Sequence, residues 1–119
     1  MSTLEATNFE ERIRQAGRFK NRFPGSVPVV SRKDTHSSLP NSIHNQLFVV
    51  PKTLMASEFT SLIRKKVNLS RTQSLMLFID SKVLVTADLT ISELYEKYSS
   101  PDGFLYILCT DHEAYGMFI

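Results

Sequence analysis

The sequence has one cysteine, no apolar run long enough to cross a bilayer and no leader-like start. Cys109 is the only cysteine among 119 residues, which excludes a disulfide framework and favours a reducing compartment. The opening stretch MSTLEATNFEER carries acids and no apolar segment, so it predicts neither a secretory signal nor N-myristoylation. No stretch reaches the roughly 18 apolar residues of a membrane span. If this protein meets a membrane, something must therefore attach it there.

Signatures of enzymes and metal proteins are also missing. The sequence has no glycine-rich phosphate loop, no Gly-x-Ser-x-Gly turn and no nucleophile beside a recognisable base. Its histidines, His36, His44 and His112, lack metal-ligand spacing. Cys109 lies on a predicted buried strand and is interpreted as a structural thiol, and Asp102 as a turn residue. We therefore expect neither catalysis nor a resident metal or cofactor.

Composition and charge indicate one globular domain. Hydrophobic residues make up 42% and charged residues 22% of the chain, near the averages of globular proteins. The net charge of +2 is uneven, because basic side chains crowd the first third and acidic ones the last. The basic run is either a solvated helix face or a surface that steers the chain toward acidic partners, such as anionic lipid or tubulin. Nucleic acid is not expected, because no aromatic residues alternate with the basic ones.

Hydrophobic spacing predicts the order helix, strand, strand, helix, strand, strand, helix, strand. The first helix begins at a Thr7 cap supported by Glu10 and ends near Phe23, before a proline-rich turn. The other elements are the strands Val27–Arg32 and QLFVVP with a polar loop between them, the helix MASEFTSLIRKKV, the strands SLMLFID and KVLVT, the helix ISELYEKY and the strand GFLYILCT. This order predicts an α+β fold, in which a mixed β-grasp sheet of the ubiquitin-like kind wraps one helix, with an extra helical segment at the amino end.

Four segments in matching order resemble the autophagy ubiquitin-like modifiers, the family of microtubule-associated light chain three and GABA-receptor-associated protein. They are FEERIRQAGRFKNRFPGSVPVV, LFVVP, FTSLIRKKVNL and DGFLYILCTDHEAYG, and the likeness extends from Phe9 to Gly116. The ending TDHEAYG is most similar to the GABA-receptor-associated branch, although the branch stays open. The resemblance implies a helical segment at 1–26, a ubiquitin-like domain at 27–116 and a propeptide at 117–119.

Gly116 is the residue on which conjugation would depend. In this family a cysteine protease removes the residues after the glycine, and activating and conjugating enzymes link its carboxylate to phosphatidylethanolamine. The resemblance thus implies removal of Met117, Phe118 and Ile119 from a cytoplasmic monomer, then anchoring on autophagosome or other vesicle membranes by two acyl chains, at about 0.8 kcal/mol per buried CH₂. The terminus should be extended and flexible, so that a glycine without Cβ can enter a narrow channel. Without the family, Gly116 is simply part of a frayed end.

Peptide capture is the second activity that the resemblance implies. LFVVP is predicted to be an edge strand, to which an extended peptide could add as another strand. Two pockets would take the aromatic and the aliphatic residue of a short aromatic-x-x-aliphatic motif in cargo receptors and adaptors. The first is assigned to Phe19, Pro28, Val49 and Phe104, the second to Phe48, Val50, Pro51, Leu54, Phe59, Leu62 and Ile63, and a basic rim to Arg64, Lys65 and Lys66. Ordinary core packing is the alternative for each of these positions.

The charge along this edge departs from the family. Relatives usually carry lysines within and just before the edge strand, where this chain has Asn45, Gln46 and Leu47, and often a basic residue where it has Ser26. We therefore expect acidic residues before the peptide aromatic to contribute less than usual, and Leu47 to make the rim of the first pocket more apolar. A peptide-binding adaptor with this fold that is not conjugated remains the alternative function.

Overall fold

A five-stranded mixed sheet in the order β2-β1-β5-β3-β4 forms the centre of the computed structural model, which describes residues 8–116. The strands are β1 (Ser26–Lys33), β2 (Gln46–Pro51), β3 (Met76–Ile79), β4 (Val83–Leu84) and β5 (Leu105–Thr110). The helices are α1 (Phe9–Arg22), α2 (Ala56–Lys66), α3 (Ile91–Tyr98) and α4 (His112–Gly116), and a 3₁₀ turn occupies Asn41–Ile43. β1 and β5 are parallel neighbours, and the other strand pairs are antiparallel. The predicted α+β fold, with the last strand beside the first, is confirmed.

Hydrophobic side chains form a core on each face of the sheet. The larger core packs α2 and α3 against one face and includes Phe48, Phe59 and Ile107. The smaller core packs α1 against the other face and includes Leu47 and Phe104. Neighbouring residues of β2 therefore enter opposite cores, as the two-residue period of a strand requires.

Local signals in the sequence place most of the element ends. The predicted capping box of α3 is present, since Thr90 Oγ1 accepts from Glu93 N–H at 3.2 Å and Glu93 Oε1 accepts from Thr90 N–H at 3.2 Å. Asp80 and Ser81 both have positive φ, as in the type I′ turn of a hairpin, and join β3 to β4. The cap of α1 is Asn8, whose Oδ1 accepts from the backbone N–H three residues on at 2.8 Å. The predicted cap, Thr7, lies outside the described residues.

None of the helices within residues 8–116 is both long enough and apolar enough to cross a bilayer.

Candidate peptide-binding edge and carboxyl-terminal tail

The strand β2 is an edge of the sheet. It pairs with β1 from Ser26↔Pro51 to Ser31↔Gln46, and the strand order places no described strand on its other side. Alternate backbone N–H and C=O groups of such a strand point away from the sheet, where an added strand can pair with them. The edge predicted for LFVVP is therefore present.

An apolar cavity of about 390 Å³ lies between this edge and α2. Its lining residues are Phe48, Val49, Val50, Pro51, Leu62, Lys65 and Lys66. Four of the seven residues assigned to the second pocket are thus brought together here. Leu62 is 40% exposed, which is unusual for a large apolar side chain on a helix that otherwise packs on the core. The cavity has the chemistry to hold an aliphatic side chain.

The other three assigned residues lie behind this cavity. Phe59 and Ile63 have no exposed surface and belong to the larger core, and Leu54 packs against that core. The Phe59 ring meets the Phe48 ring edge to face, with centroids 5.2 Å apart. Core packing, the alternative for these positions, thus describes Phe59 and Ile63, and Phe59 supports the lining residue Phe48.

The basic rim contains two of its three assigned residues. Lys65 and Lys66 line the cavity. Arg64 is instead engaged with the loop after α2, because its guanidinium donates to Ser70 C=O at 3.3 Å and to Gln73 C=O at 2.7 Å. Arg64 therefore fixes the end of the helix, and its assignment to the rim stays a prediction.

The first assigned pocket is filled by the protein's own side chains. Pro28 and Val49 are direct partners across β1 and β2, and so share a face. Phe104 is fully buried and packs with Phe19 and Leu47 in the smaller core. Leu47, expected on the rim, is 3% exposed and so lies inside this cluster. An aromatic guest would have to move α1 to reach Phe104.

A buried carboxylate fixes α1 in this closed position. Asp102 accepts from Arg12 Nε at 2.9 Å, from the Tyr106 hydroxyl at 2.6 Å and from Phe104 N–H at 3.0 Å. Burial raises the pKa of Asp102, but the hydrogen bonds from Tyr106, Phe104 and Arg12 outweigh burial and hold that pKa below its ordinary value. Burial and the Asp102 carboxylate together raise the pKa of Tyr106 to about 12. Asp102, predicted only as a turn residue, therefore also joins that turn to α1.

The carboxyl-terminal tail folds back on the sheet. Asp111 Oδ1 accepts from Ala114 N–H at 2.8 Å and caps α4, and the Tyr115 ring stacks on Phe78 with centroids 5.4 Å apart. Residues up to Gly116 are therefore helical. The expectation of an extended terminus is wrong for this part of the tail, because the cap and the ring contact stabilise a helical turn. The predicted propeptide, 117–119, lies outside the described residues.

Cys109 and the histidines form no reactive centre in the part of the chain that the structure describes. Burial raises the pKa of the Cys109 thiol to about 12, which suits a structural residue on β5. Within residues 8–116, no group of three or more His, Cys, Asp or Glu side chains is arranged to hold a metal.

The family model described as autophagy protein Atg8, ubiquitin like, matches residues 11–116. The chain belongs to the Atg8 family. Autophagy-related protein 8e of Arabidopsis thaliana is 34% identical over 109 residues, which are 92% of this chain and 88% of that protein. Autophagy-related protein 8 of Schizosaccharomyces pombe is 33% identical over 109 residues, with the same coverage of 92% and 88%.

Solved structures of Atg8 proteins have the same fold. Trypanosoma brucei ATG8 superposes with a TM-score of 0.80 at 26% identity, over 90% of each chain. Plasmodium falciparum Atg8, solved in complex with a Plasmodium falciparum Atg3 peptide, superposes with a TM-score of 0.77 at 26% identity, over 87% of this chain and 90% of that one. As an Atg8-family protein, this chain is a non-catalytic ubiquitin-like protein of autophagy, as the sequence predicted.

Proposed function

We propose that this chain is a membrane-conjugated modifier that captures extended peptides on β2. The observation that carries the peptide-binding part is the position of the 390 Å³ cavity directly beside an unpaired sheet edge. A peptide would add as a strand through backbone hydrogen bonds and place an aliphatic side chain over Leu62. Cargo receptors and adaptors with aromatic-x-x-aliphatic motifs are the expected partners. The structure of the related Plasmodium falciparum Atg8 in complex with an Atg3 peptide supports peptide binding by this chain.

The first pocket would open only when a peptide binds. Phe104 packs with Ala16 and Phe19 of α1, so an aromatic anchor must shift that helix before it reaches the smaller core. This shift of α1 weakens peptide binding, because the free protein must first leave its stable conformation. Aromatic binding should therefore strain the Arg12–Asp102 pair, whereas aliphatic binding needs no such change.

Conjugation would use Gly116. A cysteine protease would hydrolyse the bond to Met117, and the activating enzyme would convert the Gly116 carboxylate to an adenylate with ATP, which releases pyrophosphate. A cysteine thiol of that enzyme would displace AMP, the acyl group would pass to a thiol of the conjugating enzyme, and the amine of phosphatidylethanolamine would displace that thiol to form the amide. The two acyl chains of this lipid would suffice for stable anchoring. The protein would then move from the cytoplasm to autophagosome or other vesicle membranes, and residues 117–119 would be the propeptide.

Intact-mass analysis of membrane and soluble fractions from starved cells tests the conjugation. We expect a soluble form that ends at Gly116 and a membrane form that is heavier by one phosphatidylethanolamine. Gly116→Ala should leave the protein folded and soluble with no heavier form. Recovery of only full-length chains that still carry Met117–Ile119 in both fractions would contradict the proposal.

One observation favours an unconjugated adaptor as the second candidate. The helical turn α4 runs to Gly116 and is capped by Asp111 Oδ1, so Gly116 does not have the extended conformation that conjugation requires. An adaptor would use β2 and its cavity but not Gly116. Membrane recruitment that is unchanged by Gly116→Ala and lost with a Leu62 substitution would select this function.

A further inference from the structure

A second cavity, distinct from the peptide edge, opens at the carboxyl end of β1. It measures about 380 Å³ and is lined by Lys33, Thr35, Asn41 and His44. Lys33 Nζ donates to Asn41 Oδ1 at 2.9 Å, and Lys33 N–H donates to His44 Nδ1 at 3.0 Å. Because Nδ1 accepts this bond, the neutral imidazole carries its proton on Nε2. The cavity therefore presents an ammonium group, a hydroxyl group and an imidazole N–H, all of which are donors to an anion.

The electrostatic surroundings of the cavity are positive. Burial lowers the pKa of His44, and the charges of Arg32 and Lys33 lower it further. The charges of Arg32 and Lys33 therefore make the electrostatic potential at His44 positive. An anion placed between His44 and Lys33 would be attracted to the Lys33 ammonium and could accept from Nε2–H of the neutral His44.

The carboxylates of the adjoining segments are already engaged. Asp34 is 7% exposed and accepts from the Thr110 hydroxyl at 2.7 Å. Asp111 is 2% exposed, and its Oδ2 accepts from the Ser38 hydroxyl at 2.6 Å and from the Ser38 backbone N–H at 2.8 Å. Both are buried and hydrogen-bonded, so neither occupies the cavity as an internal counter-ion.

The cavity lies at the same end of the sheet as the conjugation tail. β1 and β5 are parallel and end together, with Lys33 paired to Cys109 and Asp34 N–H donating to Cys109 C=O at 2.8 Å. Gly116 is five residues beyond Asp111. A stretch of that length reaches at most roughly 18 Å even when fully extended. A lipid on Gly116 would therefore hold this end of the domain next to the bilayer surface.

We propose that the cavity of Lys33, Thr35, Asn41 and His44 binds the phosphate of an anionic phospholipid headgroup. This inference rests on the proposed conjugation only for the source of the phosphate, because anion binding itself follows from the donors of the cavity. The headgroup contact would orient the anchored domain on the membrane, with the end that carries α4 facing the lipid.

The first test titrates the unconjugated full-length chain with inorganic phosphate, at constant ionic strength maintained with chloride. Two-dimensional amide and imidazole NMR spectra should show saturable shifts confined to Lys33, Thr35, Asn41 and His44 and their neighbours. Non-saturating shifts spread over surface lysines and arginines would overturn the site. The same titration of Gly116→Ala should be unchanged, so failure of conjugation and failure of the anion site are distinguishable.

The second test separates a lipid headgroup from soluble phosphate. Vesicles of phosphatidylcholine alone and of phosphatidylcholine with phosphatidic acid are sedimented with the wild type, Lys33→Gln and Lys82→Gln. Lys82 lies in the exposed turn before β4, so its substitution removes the same charge at a distance. We expect about tenfold weaker binding to phosphatidic acid vesicles for Lys33→Gln, as for loss of one charge-assisted hydrogen bond, and little change for Lys82→Gln.

Two outcomes of the vesicle test would overturn the headgroup assignment. Equal weakening by both substitutions would show general attraction of a basic chain to an anionic surface. Saturable phosphate binding without any Lys33-dependent vesicle binding would assign the cavity to a soluble or protein-borne phosphate instead. His44→Gln, which keeps the net charge at neutral pH, serves as the second variant if Lys33→Gln fails to fold, and the same losses are expected of it.

Discussion

Arg12 Nε lies 2.9 Å from Asp102 Oδ2 and joins the first helix to the turn before the last strand, across 90 residues of sequence. Asp102 is 3% exposed, so the charge pair is formed mostly away from water. Its position beside Phe104 means that the pair fixes the helix that covers the smaller core. Stability and access to that core are therefore linked through one contact.

Arg12→Ala should lower the free energy of unfolding by roughly 2 kcal/mol, since a hydrogen bond to a buried charged group is lost. Urea unfolding measures this change. Arg14→Ala, on the exposed part of the same helix, is the matched control and should change stability by less than about 0.5 kcal/mol. Equal effects of the two substitutions would contradict a specific role for Arg12.

Acid should destabilise the fold partly through Asp102. The folded pKa of this carboxyl is below its ordinary value of 3.8, so the unfolded chain binds more protons as the pH falls through that range. The stabilisation that ionised Asp102 provides is complete above its pKa in the unfolded chain and is lost as the pH falls through its pKa in the folded protein. Urea unfolding at a series of pH values should therefore show a steep acid limb that is shallower in Asp102→Asn. The pKa of Asp111 is also lowered, so part of the limb should remain.

Leu62→Ala and Phe59→Ala should separate the binding surface from the core. Leu62 is 40% exposed and lines the cavity, so its truncation should cost less than about 1 kcal/mol of stability and weaken peptide binding roughly tenfold. Phe59 is fully buried, so its truncation should cost about 3–5 kcal/mol. Urea unfolding and fluorescence titration with an aromatic-x-x-aliphatic peptide measure the two quantities. Normal peptide affinity in Leu62→Ala would contradict the assignment of the cavity.

Peptide binding should depend weakly on salt. β2 has no charged side chain, and Lys65 and Lys66 are the cations that line the described cavity. An acidic peptide and its neutral counterpart should therefore differ little in affinity, and raising the salt should change both only modestly. Titrations of both peptides at low and high salt test this, with a lysine-rich Atg8 relative as the comparison. A salt dependence as steep as that of the relative would contradict the prediction.

Phe78→Leu should loosen the tail. The stack of Tyr115 on Phe78 accompanies the bond from Ala114 N–H to Asp111, and an aromatic pair of this kind contributes about 1 kcal/mol. Loss of that contact should speed hydrogen exchange at the Ala114 amide by roughly fivefold. The Ile107 amide, inside β5, serves as the internal control and should keep its protection. Unchanged exchange at Ala114 would show that the ring contact does not hold the helical turn.

The order of elements and the edge position of LFVVP could be predicted because each depends on local periodicity and on connection rules. Which side chains of α2 line the cavity and which belong to the core could not be predicted. Phe59, Leu62 and Ile63 lie within one helical stripe about 100° wide, and the spacing does not show that Leu62, at one margin of that stripe, stays exposed. The Arg12–Asp102 contact had no local signal either, because its partners are distant in sequence.

The tail is a different case, because a signal was present. Asp111 stands three residues before Ala114, the spacing of an aspartate that caps a helix. This cap predicts a helical turn, whereas conjugation at Gly116 requires an extended end. The helical turn and conjugation are compatible if the turn unwinds before the enzymes act on Gly116.

The uncharged edge of β2 also bears on how the protein behaves when concentrated. Sheet proteins usually protect an open edge with lysine, a bulge or a covering loop, whereas QLFVVP has only Pro51 at its far end. Two copies can therefore meet edge to edge and begin an ordered aggregate. A bound peptide would occupy the same backbone groups and block this contact. The protein should therefore aggregate more slowly with its ligand than without it.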